Sequence, residues 1–400
     1  MQIFSKKYDF QLLYDYAIFD EASQCDIASA LPLMTSYSAE GLEIPRVHSQ
    51  DTALSTGGLN EKSETSEFGV PALYALSVVS ERSGILRCRA GVLACAKHRG
   101  RKIVTIGIEP LHPLYAARLT GVDIRRPVDE ATMDEVRAAL ATYAVCVISH
   151  DEPPTNDEHI AFSARLGPLE RGKSPKINGT EVRLPYPEIV DQSNLNDVGE
   201  IYADDDRRLA YKRANRLWHT DMSFYEVRAT YSLLVGHITP PTGADTEFTD
   251  MRAVWDALPQ DRKAGLEDLI VEHSYWYSRV QGGGPEPTEE ERVTRPPARH
   301  KLVHVHEPSG RNALYLASHA SDIVGYPRDK ARALIRDLMD FAVEPRFVYA
   351  HKWRRGDVLI WDNLATMHRA TAFDDRNQVR DMRRTTCREK ALDNGASRIA

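Results

Sequence analysis

Cysteine is scarce in this chain. The five present (Cys25, Cys88, Cys95, Cys146 and Cys387) are scattered and odd in number. That excludes a disulfide-dense secreted scaffold and suits a reducing compartment, so a cytoplasmic protein is expected. No apolar run reaches the ~18 residues needed to cross a bilayer, so no membrane span is expected. Met1–Phe10 shows no basic segment followed by an apolar one, so no secretory leader is expected either. Positive charge is not in excess: 51 Lys and Arg stand against 58 Asp and Glu, a net charge of −7. This argues against a dedicated nucleic-acid binder. No Gly-x-Gly-x-x-Gly follows a strand-like run, so a dinucleotide-binding sheet has no support. What remains is a chain of 400 residues, 42% hydrophobic and 27% charged, the mix of a soluble globular protein with room for one large domain or two ordinary ones.

The chain changes character near residue 103. Residues 1–80 carry only Lys6, Lys7, Arg46 and Lys62 as cations, whereas 81–102 are strongly basic. Residues 36–68 are rich in Ser, Thr, Gly and Glu without a sustained hydrophobic period, as in a flexible tail. Residues 1–102 are therefore read as a largely flexible extension of unknown role. His98 near Cys88 and Cys95 offers too few ligands for a zinc site.

Residues 103–390 read as a compact domain. Helices are expected at 129–143, capped by Asp129, and at 156–166, 251–258, 261–270 and 328–342. Strands are expected at 104–108, 144–149, 229–238, 302–306, 313–316, 346–349 and 357–361, and a loop at 281–297. Short strands at irregular spacing with peripheral helices point to a mainly β protein, a sandwich or jelly roll.

Three features carry chemistry. In Trp218-His219-Thr220-Asp221, His219 and Asp221 stand two apart, so on a strand they face one side. An imidazole and a carboxylate, joined by a second His, form a ligand set for Fe(II) that leaves open positions. His368 is the candidate third ligand. A bare His-x-Asp is more often a surface strand with two polar residues facing out. His304-x-His306 has the same period and is read as the solvated face of a strand. The second feature is a basic segment in which Arg380 and Arg384 are an even number apart. On a strand they share a face, and a guanidinium fork binds a carboxylate bidentately. The third is Thr246, just after a turn at Gly243, whose hydroxyl can donate to an anion.

Taken together these residues resemble the taurine dioxygenase/2,4-dichlorophenoxyacetate dioxygenase family of Fe(II)- and 2-oxoglutarate-dependent enzymes. The resemblance runs from about Ile103 to Thr386. It includes Leu217-Trp218-His219-Thr220-Asp221, Gly243-x-Asp245-Thr246-x-Phe248-x-Asp250-Met251-Arg252, Leu314–Ala320, Gly356-Asp357-x-x-x-Trp361-Asp362-Asn363, His368 and Arg380-x-x-x-Arg384-x-Thr386. The wording is closest to the aryloxyalkanoate-cleaving branch. The resemblance implies a double-stranded β-helix (jelly roll) core. It implies His219, Asp221 and His368 as iron ligands, with Thr246 and Arg380 holding 2-oxoglutarate and Arg384 near the anionic group of the prime substrate. It also implies consumption of O2, hydroxylation of a small anionic molecule such as 2,4-dichlorophenoxyacetate to a phenol plus glyoxylate, and release of succinate and CO2. A taurine- or alkylsulfonate-type dioxygenase, a zinc hydrolase and a non-enzymatic anion-binding jelly roll remain alternatives. Substrate-lining residues are expected from 112–114, 191–196 and 282–297. Family members are often oligomers, and the sequence does not count subunits. The interval from His368 to Arg380 is about one residue longer than in the taurine enzyme.

Overall fold

A computed structural model describes residues 106–172, 183–203 and 214–390, together with the backbone of 176–177 and 180–181. The N-terminal extension, including His98 and its cysteines, lies outside the described residues. Among those described, strands dominate and helices are few.

The largest sheet has seven strands in the order 107–110, 117–120, 145–149, 357–362, 229–238, 381–388 and 190–191. Its central strands are apolar on both faces, and the two-residue period sorts their side chains into two cores. Cys146, Ile148, Leu233, Val235, Val358 and Ile360 point one way and meet Met133, Val136 and Leu140 of the Glu130–Tyr143 helix. Val145, Val147, Leu234, Leu359, Trp361 and Met382 point the other way. There they meet Phe248, from a three-stranded sheet ordered 348–351, 246–250 and 366–370. The far side of this small sheet presents Met367 to a third core, which holds Met251, Val254, Ile335 and Leu338 from the Met251–Ala257 and Arg328–Ala342 helices. The layers are thus helix, large sheet, small sheet, helix.

Local chemistry sets the boundaries. The Glu130–Tyr143 helix begins where Asp129 accepts a hydrogen bond from the Thr132 amide, and the Asn156–Ser163 helix begins at a Thr155/Glu158 capping box. Two sequence expectations fail for identifiable reasons. The expected helix at 261–270 is only Gln260–Lys263: Gly265 follows at φ +80°, in the left-handed region that ends helices, and Ile270 opens a strand paired between Ala298–Lys301 and Ala320–Ile323. The expected loop at 281–297 contains a helix, Glu289–Thr294, started by a Thr288/Glu291 capping box. His304 and His306 do not form a solvated face. His306 is buried and bonds Asp362 at 2.9 Å, while Val305 takes the exposed side of that strand.

Candidate metal centre

The Trp218–Asp221 segment lies beside the 366–370 strand. The His219 amide donates to the His368 carbonyl at 2.9 Å and the His368 amide donates back at 2.7 Å. This reciprocal pair brings together two histidines 149 positions apart in sequence. Thr220, pointing the opposite way, fixes the segment: its hydroxyl donates to the Thr366 carbonyl at 2.9 Å and to that of Leu316 at 3.2 Å. The chain then turns at Met222, a buried residue held at φ 57°, in the left-handed region. Strain of this kind in a non-glycine residue is characteristic of functional sites.

The result is one cluster. His219, Asp221 and His368 are all buried and offer ligand atoms within 4.8 Å of one another. Nε2 of His219 stands 3.9 Å, and Nε2 of His368 3.7 Å, from Oδ1 of Asp221. The ring of His219 is oriented by a 2.8 Å contact from Nδ1 to the Leu217 carbonyl, which makes Nδ1–H the donor and leaves the Nε2 lone pair for a cation. Burial, with His219 alongside, holds the His368 imidazole well below its usual pKa, so it stays neutral and can ligate. Phe248 and Trp361 wall the His368 ring. The carboxylate is positioned just as closely. Ser232 donates to Oδ2 at 2.6 Å and Arg384 to Oδ1 at 2.7 Å. Asn363 donates to Ser232 and accepts from the Asp221 amide and from the Trp361 indole. Two imidazoles and one carboxylate, all buried, on one side of a point match the donor set of a divalent iron site.

A cavity of about 100 Å³ opens on this cluster. His219, His368, Thr246, Arg380 and Arg384 line it, so every residue singled out as a ligand or anchor except the inward-turned Asp221 reaches the same space. Thr246 opens its strand and is buried. The Trp353 indole donates to its oxygen at 2.9 Å, which leaves the hydroxyl proton free to donate. Gly243, ahead of it, has φ +71°, and a Cβ there would sit 2.6 Å from the Ala372 carbonyl, so the turn requires glycine. Arg380 is half-buried, with one guanidinium bond to the Gln192 carbonyl at 2.8 Å. No carboxylate among the described residues pairs with it, and burial brings its pKa down to about 10. Arg383, an alternative anchor by composition, points to the other face of the sheet and bonds Asn156 and Asp381.

Of the expected lining segments, 191–196 contributes Gln192, Ser193 and Asn194, and neither 112–114 nor 282–297 contributes among the described residues. Phe373, Leu234 and Trp361 supply apolar wall. Sequence reasoning missed Ser232. Ser232 sits in an ordinary apolar strand, and nothing in its neighbourhood marks it.

Comparison with known proteins agrees with this geometry. Residues 107–386 match the family model described as taurine catabolism dioxygenase TauD, TfdA family. The alpha-ketoglutarate-dependent 2,4-dichlorophenoxyacetate dioxygenase of Cupriavidus pinatubonensis is 37% identical over 289 residues, covering 72% of this chain and all of that protein. The (S)-phenoxypropionate/alpha-ketoglutarate-dioxygenase of Sphingobium herbicidovorans is 31% identical over 275 residues, 67% of this chain and 90% of that one. Among solved structures, AAD-2 in complex with Mn(II) and N-oxalylglycine superposes with a TM-score of 0.67 at 39% identity, covering 72% of this chain and 98% of that one. With a buried His-Asp-His cluster at the centre of the matched region, the chain belongs to the TauD, TfdA dioxygenase family.

Proposed function

We propose that this protein is an Fe(II)- and 2-oxoglutarate-dependent dioxygenase that cleaves an aryloxyalkanoate by hydroxylating the carbon next to its ether oxygen. The hemiacetal so formed collapses to a phenol and, for an aryloxyacetate, glyoxylate; the cosubstrate leaves as succinate and CO2. In this reading the two facing sheets are the double-stranded β-helix of the family. Residues 103–390 form the working domain, and the free buried thiols of Cys146 and Cys387 suit a cytoplasmic setting.

The observation that carries the proposal is a His-Asp-His cluster sharing one cavity with a half-buried arginine that has no carboxylate partner among the described residues. His219, Asp221 and His368 would hold ferrous iron, which with bound 2-oxoglutarate supplies the activation of O2. The remaining tasks fall to the chain. Arg380 places two donors against the distal carboxylate of the cosubstrate, and the Thr246 hydroxyl adds a third. Arg384, beside Asp221, holds the carboxylate of the prime substrate and so sets which carbon faces the metal. Leu234, Trp361 and Phe373 exclude water, which strengthens each of these charge contacts. The relatives named for 2,4-dichlorophenoxyacetate and phenoxypropionate support the substrate class.

The test is a succinate-release screen with Fe(II), 2-oxoglutarate and a panel of aryloxyacetates, aryloxypropionates, alkyl sulfates and sulfonates. Phenol release from the aryloxy compounds is expected, with loss of turnover in Asp221→Ala. Normal turnover in that variant would refute the centre, and succinate formed only with sulfonates or sulfates would refute the substrate class.

A further inference from the structure

The position of Arg380 is not set by the sheet that follows it. The strand 366–370 ends at Ala370 and the next begins at Asp381, so residues 371–380 cross without regular structure and Arg380 is the last of them. Even the start of the following strand is irregular, with a register shift between Asp381 and Met382. Its partners are two residues nearly 190 positions earlier. The Arg380 amide donates to Oδ1 of Asn194 at 2.8 Å, the Asn194 amide donates to the Arg380 carbonyl at 3.1 Å, and the guanidinium donates to the Gln192 carbonyl.

The side chain of Asn194 does more. Its Nδ2 donates to the carbonyls of Asp375 at 2.8 Å and Gln378 at 2.9 Å. A carboxamide has two N–H donors and one carbonyl. Here all three functions go to one loop, which Asn194 gathers at both ends while buried at the cavity wall. Asn194 has firm footing of its own. Gln192 donates its amide to Met382, and Arg183 bridges Asp191 and Asp381 with bonds of 2.7–3.0 Å.

We propose that Asn194 is a positioning residue for the cosubstrate: it clamps the 375–380 loop and so aims Arg380 at the distal carboxylate of a 2-oxo diacid. This rests on the assignment of Arg380 as the cosubstrate anchor. It adds that the anchor's geometry is dictated from the 190–194 segment. It also explains how a longer interval between His368 and Arg380 is tolerated. Extra loop length is taken up between fixed ends, because the clamp measures from Asn194 rather than along the chain.

The experiment is calorimetric titration of the Mn(II)-loaded full chain with 2-oxoglutarate and with 2-oxopentanoate, which has the same length but a methyl in place of the distal carboxylate. Asn194→Ala should weaken 2-oxoglutarate at least about tenfold while leaving 2-oxopentanoate unchanged. In an Arg380→Met background it should cost nothing further, because the two residues act as one unit. Asn194→Asp keeps the volume, removes both donors to the loop and should give the same pattern if the alanine variant does not fold. Wild-type affinity for 2-oxoglutarate, equal loss of both acids, or additive losses in the double variant would overturn the inference. Arg380→Met alone judges the underlying assignment. If that variant keeps 2-oxoglutarate affinity, the anchor is wrong, whatever Asn194 does.

Discussion

Two arginines in this molecule show opposite arrangements. Arg252 is fully buried beside Asp250, which takes its Nε and Nη2 at 3.0 and 2.8 Å, while the carbonyls of Ala141 and Thr142 take one donor each from Nη1 and Nη2. Burial pulls its pKa down, and the bonds to Asp250 more than reverse this, so it stands above its ordinary value. Arg380, half-buried in the cavity wall, has a backbone carbonyl and no counter-charge among the described residues, and desolvation there brings its pKa down to about 10. The first joins the Met251–Ala257 helix to the end of the Glu130–Tyr143 helix. The second is held ready in a cavity. A charge buried without its partner costs folding energy, and it is kept where a ligand supplies the partner.

The contrast is open to direct attack. Arg252→Met should be the most damaging change, because it leaves Asp250 buried and alone. Chemical denaturation should show a loss of about 3–5 kcal/mol, with the affinity of the folded fraction for 2-oxoglutarate unchanged. Arg380→Met should do the reverse. Stability should hold or rise, while the KM for 2-oxoglutarate climbs roughly 100-fold as two charge-assisted bonds are lost. Equal effects of the two variants on Tm would erase the distinction between them. Ser232→Ala probes the same idea at the carboxylate: with Oδ2 of Asp221 released, Mn(II) affinity measured by calorimetry should fall about 10–100-fold.

The buried histidines extend the comparison to a weaker base. Burial lowers His159 and His304 to about 3 and His237 and His300 to about 4, against 6.5 for a free imidazole. Below pH 6.5 the unfolded chain takes up protons that the folded one refuses. Stability from these groups is therefore complete above about 6.5 and is lost as pH falls toward 4. Thermal melts should show Tm dropping between about pH 7.5 and about pH 5, and His304→Phe should reduce that drop by roughly 2–4 °C. A Tm that stays level over this range would mean the histidines are protonated where they sit.

How much of this was legible beforehand varied with the range of the signal. The Ala229–Ile238 strand and the Arg328–Ala342 helix were readable to their exact ends, since side-chain period and chain neighbours decide them. The helix expected at 261–270 stops at Lys263 because Gly265, at φ +80°, turns the chain out of the helix, a local signal, and only Ile270 of that span joins a strand paired with distant partners. His304 and His306 looked solvated because alternation says only that two residues share a face, not which face is wet. His219, Asp221, His368, Thr246, Arg380 and Arg384 were legible as motif residues, because the donor type of a metal ligand or anion anchor is fixed by its chemistry.

The order of letters alone therefore put forward the candidate groups: two imidazoles, a carboxylate, a hydroxyl and two guanidiniums, on segments whose periodicity turns them to one side. Folding in three dimensions decided which of them meet and which stay unsatisfied. Asp221 is fixed in place through Ser232, Asn363 and Arg384, and the backbone of Arg380 is fixed through Asn194. Hydrogen bonds between residues more than a hundred positions apart depend on chain crossings, and no local pattern records them.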